Sequence, residues 1–419
     1  MTNAASPGPK ARWNLATAIT TAELITRAGD AVTDIALPLL AISVLGAGPA
    51  EIAIIGAAQA LPALLLSLPA GAWVDRRRRR APIVIAADFA RFVLLVSIPL
   101  AAITGYLSLP LVVLVAFLAS CAGTLYDVGF TGWIPRVLKG DVLHRANARM
   151  ELARSAALIT GPATGGLLVS LAGAANALAA DALSFLASGA LLFGMRKTEP
   201  DQEQTRSRPR MLADVTAGFR FVLGQPIVRA IIATASTNNF FRSVAMAVAF
   251  LYLVNEAGVT AAGIGVTVAI GNLGFVLGAL ASRPLSRRFG VGRAMQMGVG
   301  LFGPASLVFA LAPLPLAAPA FTLMLFAHGL GQAIHGPNQV TLRQVLVPDN
   351  LRSRVGAVYR LTIFGATPLG IMLGGVIGQL YGLHAALLVG ALGLFLGSAP
   401  YILSRVSRVR TLEDASSAQ

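Results

Sequence analysis

Apolar runs of 18 or more residues recur along the whole chain, and each ends at a short polar loop. A run of that length crosses ~30 Å of hydrocarbon as an α-helix. Inside a bilayer every backbone N–H and C=O must find a partner within the protein, so only helices and closed barrels span it. A barrel needs ~10-residue segments of alternating polarity, and none appear here. The expected fold class is an all-α integral membrane protein. Composition agrees, with 56% of the 419 residues hydrophobic and 12% charged, against roughly 25% charged in soluble domains.

Twelve spans are expected, roughly at 15–44, 52–74, 81–104, 109–132, 152–172, 175–195, 227–254, 261–282, 293–313, 317–340, 356–380 and 384–404. The loops between them are strongly asymmetric. One side holds Lys10 and Arg12, Arg76 to Arg80, Arg136, Lys139, Arg145 and Arg149, the 196–220 stretch, Arg283 to Arg293, Arg343 to Arg354, and Arg405, Arg408 and Arg410. Loops on the other side (45–51, 105–108, 173–174, 255–260, 314–316 and 381–383) hold no lysine or arginine. By the positive-inside rule the basic side is cytoplasmic, as are both termini. The loop GAWVDRRRRR (Gly71 to Arg80) fixes this most firmly, because five consecutive arginines cannot sit in hydrocarbon.

The net charge of +15 does not indicate a nucleic-acid partner, since the basic residues lie between apolar runs and form no patch with stacking aromatics. Cys121 is the one cysteine, so no intramolecular disulfide is available. The polar start MTNAASPGPKAR leads into a run longer than a signal-peptide core, and no cleavable signal is expected. HExxH, a nucleophile elbow and a GxxxxGK phosphate loop are all missing, which argues against an enzyme or a built-in ATP motor. No cofactor is expected.

RKTEPDQEQTRSRPR (Arg196 to Arg210) reads as a linker between two six-span halves, so the expected domains are 1–195, 196–226, 227–404 and a 405–419 tail. Leu212, Val215, Phe219 and Val222 then recur at helical spacing with Asp214 and Arg220 opposite. That pattern fits a short interfacial helix or an extension of span seven. An internal repeat is also present. A shift of about 207 residues lays Gly71 on Gly278, IPRVLKGDVL on LRQVLVPDNL, and GPATGG on TPLGIMLGG within two residues. Two parallel repeats imply pseudo-symmetric bundles with a site between them.

These features together resemble the major facilitator superfamily across essentially the whole chain. More narrowly, AGDAVTDIALPLLA (Ala28 to Ala41), LPAGAWVDRRRRR, IPRVLKGDVLHRANAR (Ile134 to Arg149), ITGPATGG (Ile159 to Gly166) and ADALSFL (Ala180 to Leu186) resemble the bacterial branch of enterobactin exporters and macrolide efflux pumps. Gly161, Pro162, Gly165 and Gly166 resemble the span-five motif associated with drug–proton antiporters, although Ala157 stands where that motif opens with glycine. Arg78 stands where the loop motif usually has glycine, and span four lacks the arginine many proton-coupled relatives carry. The resemblance implies a location in the bacterial inner membrane and a conformational latch built on Gly71, Asp75, Arg76, Arg79 and Arg80.

Glu23, Arg27, Asp30 and Asp34 in span one are spaced 4, 3 and 4 apart and fall within about 60° of one helix face. Such a stripe faces a cavity or another span and fits either proton transfer or a structural ion pair. Asp30 and Asp34 are the foremost proton carriers, with Glu23 and Asp127 of span four also candidates. Asp88 and Arg91 of span three are expected to tie that span to Asp75 as part of the latch. Asp181 of span six is compatible with a packing hydrogen bond. Cavity candidates are Arg27, Asn238, Asn239 and Arg242, together with His328, Gln332 and His335, which share one face. No third ligand accompanies the two histidines, so no metal site is expected.

The resulting expectation is a monomeric secondary exporter of a small amphiphilic molecule (drug, antibiotic or siderophore-like), working by proton antiport and alternating access. Its partners would be substrate, protons and lipid. A proton symporter and a lipid-flipping relative are the alternatives.

Overall fold

The computed structural model describes residues 9–199 and 211–402, with 404, 406 and 409. Most of the expected linker (200–210) and of the C-terminal tail, with Arg405, Arg408 and Arg410, lies outside the described residues. Within them are fourteen α-helices and no strand. The first six are α1 (Pro9–Ser43), α2 (Pro49–Asp75), α3 (Ala81–Thr104), α4 (Leu109–Val137), α5 (Gly140–Ala172) and α6 (Ala174–Phe193). After the linker come α7 (Met211–Gly224), α8 (Pro226–Asn255), α9 (Ala261–Phe289), α10 (Val291–Gly300), α11 (Phe302–Leu311), α12 (Ala317–Leu346), α13 (Arg352–Tyr381) and α14 (Leu383–Ile402).

The expected spans map onto α1 to α6, α8, α9, α10 with α11, and α12 to α14. Ten of these are long and apolar enough to cross a membrane. The other two are α1, which carries the four ionisable residues of span one, and α14, which is 20 residues long. The ninth span is not one helix. It breaks at Leu301, because Pro304 has no N–H to offer the Gly300 carbonyl and its ring crowds that turn. Elsewhere helix ends follow familiar chemistry. Gly105 leaves α3 with φ of 78°, its N–H returning to the Ala101 carbonyl, and Pro226 opens α8 where its missing N–H costs nothing.

Of the two fates open to residues 211–224, the structure shows a separate helix. Gln225, preceding Pro226, is extended and divides α7 from α8. Gly218 brings α7 close to α13, so that a Cβ there would lie 2.8 Å from the Arg354 carbonyl oxygen.

The chain forms two compact units. Met1–Leu40 with Leu65–Ser207 makes one, and Ala41–Leu64 with Arg208–Gln419 the other. The core of the first is an aromatic column on α4, where Tyr126 stacks on Phe130 at 5.1 Å and Trp133 follows, all fully buried against Ile19, Val84 and Leu192. The second is centred on Ile231, Met295, Val299, Leu342, Val358 and Tyr401. Residues 41–64 join it because Ala53 fits the notch left by Gly375, while Ile371 lies 3.2 Å from where a Cβ on Gly56 would sit.

The internal repeat is visible in helix packing. Gly161 and Gly165 of α5 let α1 approach at Ala31 and Val32, the latter with its Cα 3.1 Å from where a Cβ on Gly165 would sit. Gly370 and Gly374 of α13 do the same for α8 at Phe240 and Val244. Gly370, Gly374 and Phe240 lie 209 residues after Gly161, Gly165 and Ala31 respectively. Small residues permit such close backbone contact, the main source of helix association in lipid. Large apolar side chains meanwhile point outward, with Ile103 81%, Leu171 77% and Leu380 67% exposed. Apolar surface on that scale suits a lipid environment.

Candidate functional site

In the first unit the ionisable stripe of α1 is the centre of a network that draws in α3, α4 and α5. Arg27 bonds Glu23 Oε1 through Nε at 3.0 Å, Asp30 Oδ2 at 3.4 Å and Asp127 Oδ1 at 2.5 Å. Glu23 is fully buried and also accepts from Arg154 of α5 at 2.9 Å and from the Tyr126 hydroxyl at 3.3 Å. Asp30 accepts a second ion pair from Arg91 of α3, whose guanidinium lies 3.7 Å over the Phe185 ring of α6. Three arginines and three carboxylates thus join four helices. Buried ion pairs are held only where desolvation is offset by several partners, and Glu23 has three.

Asp34, one turn beyond Asp30, is exposed and has no hydrogen-bond or ion-pair partner among the described residues. Asp181 is otherwise occupied. Thr33 donates to one of its oxygens and Ser184 to the other at 3.0 Å, and Gly29 leaves room for the carboxylate beside α1. This geometry is that of a packing hydrogen bond.

The expected link from Asp88 and Arg91 to Asp75 is not formed. Asp88 is fully buried and accepts from Ser188 of α6 at 2.7 Å, while Thr26 of α1 donates to the same hydroxyl at 2.9 Å. Arg91 is drawn to Asp30 instead. Both residues lie two or more turns into α3, out of reach of the loop, so the correction follows from helix rise.

The loop has its own network. Asp75 pairs with Arg80 at 2.6 Å. The Glu199 carboxylate, fully buried, accepts from the backbone N–H groups of Arg80 and Ala81 at 2.8–2.9 Å, and Arg136 of α4 approaches it at 3.4 Å. Arg136 also donates to the Arg78 carbonyl at 3.2 Å. Gly132 admits the Arg80 guanidinium. Burial and the neighbouring Arg136 charge push that guanidinium below its usual range, against Asp75 and Glu199, which raise it. Arg76 and Arg79 are exposed, and Gly71 faces open space, with nothing within 4 Å of where its Cβ would be.

The second unit contains fewer charges. Asn239 donates to the Ile363 carbonyl at 3.0 Å and to Thr367 at 2.7 Å, tying α8 to α13. Arg242 is exposed and touches Asn239 Oδ1 at 3.4 Å, without a carboxylate partner among the described residues. Asn238 is buried with its Oδ1 unpartnered. His328, Gln332 and His335 do not act together. His328 is buried against Ser306 at 3.0 Å and the Phe302 ring, and His335 is buried against the Tyr401 ring, while Gln332 alone is exposed. No cluster able to hold a metal ion occurs among the described residues. Gly161, Pro162, Gly165 and Gly166 are all buried, and Gly161 and Gly165 face α1.

The arrangement of repeats, buried charge and basic loop has a counterpart among known proteins. The family model described as transmembrane secretion effector, within the major facilitator superfamily, matches residues 9–419. The chain belongs to this family. It is a multi-pass membrane transporter of small molecules. Among its relatives, the multidrug efflux pump Tap of Mycolicibacterium fortuitum is 28% identical over 395 residues, covering 92% of this chain and 94% of that protein. Tap of Mycobacterium tuberculosis (strain ATCC 25618 / H37Rv) is 29% identical over 382 residues, 88% of each. A bacterial homologue of the iron transporter ferroportin, crystallised in its inward-facing state, superposes with a TM-score of 0.76 at 17% identity over 94% of this chain and 98% of that one. At that identity the likeness shows the family fold alone.

Two groups central to these networks escape a reading of the sequence. Arg154 is seven residues before Gly161 and eleven before Gly165, which puts it on the face of α5 that packs on α1. That spacing was available as a signal. Glu199 lies in a polar stretch with no periodicity, and nothing local distinguishes it from its acidic neighbours.

Proposed function

We propose that this transporter exports small amphiphilic molecules of the drug or antibiotic kind, by proton antiport with alternating access, as a monomer in the bacterial inner membrane with both termini cytoplasmic. The observation that carries the reading is the contrast along one face of α1. Asp34 stands open beside a network in which every other carboxylate is held. An exposed acid next to an arginine-rich network is a group that takes up and gives back a proton while changing the balance of nearby ion pairs. Protonating Asp34 removes a negative charge one turn from Asp30 and so changes the field on the Asp30–Arg91 pair, while protonating Asp127 frees one arm of Arg27. Each step alters the joins between α1, α3 and α4 and so biases which side of the transporter is open.

The likeness to two pumps named for multidrug efflux supports export of chemically varied substrates. A second reading rests on Arg242. A cation without a carboxylate partner suits a substrate with an anionic group, as in a proton symporter for an organic acid. The test is ethidium accumulation in cells stripped of their own efflux pumps. Expression is expected to lower steady-state dye, and a protonophore to restore it. Unchanged accumulation across a panel of amphiphilic dyes and antibiotics, with the protein present in the membrane, would remove the export reading.

A further inference from the structure

An open groove of about 540 Å³ runs from the arginine loop along α3 and α4, entirely within the first unit. Its mouth is formed by Trp73 and by Arg77, Arg78 and Arg79. Its walls are apolar and mostly small, including Pro82, Ala86, Ala90 and Leu125. Neither the latch pair nor the α1 network uses this space. Asp75 is committed to Arg80, and Glu199 to Arg80, Ala81 and Arg136. Among the described residues, neither Arg77 nor Arg78 is paired with either of these acids.

Three features define what fits. The mouth needs an anion, because exposed guanidiniums gather there, and guanidinium forks match phosphate oxygens in pairs. The walls need an aliphatic chain, because the alanines of one α3 face give a channel with few polar atoms. From Pro82 to Ala90 the channel extends about 12 Å along the helix rise. Trp73, 43% exposed with Arg77 stacked over its ring at 4.4 Å, sits at the junction of the two, where tryptophan marks the headgroup level of a bilayer. A free phosphate would use the mouth and leave the walls uncovered, and a neutral drug would use the walls and leave the charge unmatched.

We propose that this groove binds an anionic glycerophospholipid of the leaflet that the arginine loop faces. The phosphate rests on Arg77 and Arg78, the glycerol backbone lies against Trp73, and one acyl chain lies along Ala86 and Ala90. Basic pockets between membrane helices are a recurring way to hold such headgroups. Because Arg78 also gives its carbonyl to Arg136, a seated lipid contacts the same loop that carries the Asp75–Arg80 pair. The site thus connects lipid composition to the latch.

The full-length protein, freed of co-purified lipid, is titrated with phosphatidylglycerol and separately with phosphatidylcholine, and bound lipid is counted by native mass spectrometry. Wild type is expected to retain phosphatidylglycerol in preference by about tenfold or more, given about 1 kcal/mol per arginine at an anionic surface. Arg77→Gln/Arg78→Gln should bring the ratio near one. Ala90→Phe, which fills an exposed part of the channel, should lower retention of phosphatidylglycerol but leave inorganic phosphate binding as in wild type. Melting curves establish that both variants remain folded. Equal retention of the two lipids by wild type would overturn the proposal. So would a preference that survives both variants, which would place the lipid elsewhere. Inorganic phosphate displacing the lipid completely would show a headgroup-only site and would overturn the role assigned to the channel.

Discussion

The Glu199 carboxylate accepts the Ala81 backbone N–H at 2.8 Å, so a residue beyond the sixth span caps the start of the third. The first N–H groups of a helix have no partner within it, and α3 begins at Ala81 with no side-chain cap from its own N-cap residue, Arg80. The helix dipole favours a negative charge at that point. Arg136 approaches the same carboxylate, so the contact joins α3, α4 and the segment after α6.

Replacing Glu199 by alanine removes the cap and leaves Arg136 without its acid. Loss of an N-cap costs about 1 kcal/mol, and the stranded polar groups add about as much again. Glu199→Ala should lower the melting temperature of the detergent-solubilised protein by several degrees. Glu199→Gln, which still accepts from the two N–H groups, should lower it less. Equal melting of wild type and alanine variant would remove the capping role.

Arg27 joins three acids, and removing it leaves the fully buried Glu23 with only Arg154 and the Tyr126 hydroxyl. Breaking a buried pair from one side costs about 3 kcal/mol, the low end of the range because Arg27 keeps a quarter of its surface open. The separate effects of Arg27→Ala and Glu23→Ala should therefore sum to more than the effect of the double variant Arg27→Ala/Glu23→Ala. A double-mutant cycle on unfolding free energies measures the coupling, and additive effects would contradict the network.

The close approaches at equivalent places in the two repeats make a paired prediction. A valine at Gly161 collides with Ala31 of α1, and one at Gly370 collides with Phe240 of α8. Overpacking typically costs about 1–3 kcal/mol where the backbone can shift, and here the obstacle at Gly370 is backbone. Both variants should assemble poorly, judged by monodisperse yield in detergent, with Gly370→Val the worse. Valine at Gly71, which borders open space, should leave yield unchanged.

Much of this molecule can be read from its sequence, because the bilayer leaves so few options. Span lengths and the repeat follow from apolar runs and glycine spacing, and the stripe from Glu23 to Asp34 follows from helical period. Contacts between helices are harder to read. Asp88 and Arg91 have the right residue types for a latch, but their depth in α3 hands them to Ser188 and Asp30. His328 and His335 share a face on paper, while each is packed against a different neighbouring helix. The break at Leu301 was signalled by Pro304, though a proline in a membrane helix is often accommodated by its neighbours. Glu199 shows the limit most clearly, since no spacing rule joins it to Ala81 118 residues away.

Asp75→Asn weakens the pair with Arg80 without touching the Glu199 cap. It should abolish efflux while leaving membrane insertion and yield intact. Ethidium efflux measured alongside the amount of protein in the membrane checks this, and normal efflux would end the latch interpretation.

The central claim is that the open carboxylate on α1 carries the coupled proton, and substrate-driven proton movement in proteoliposomes tests it most directly. Wild type loaded against a pH gradient should release internal protons to the dye pyranine when ethidium is added, and Asp34→Asn should bind ethidium but move no protons. Proton movement of wild-type size in the Asp34→Asn protein would contradict the account.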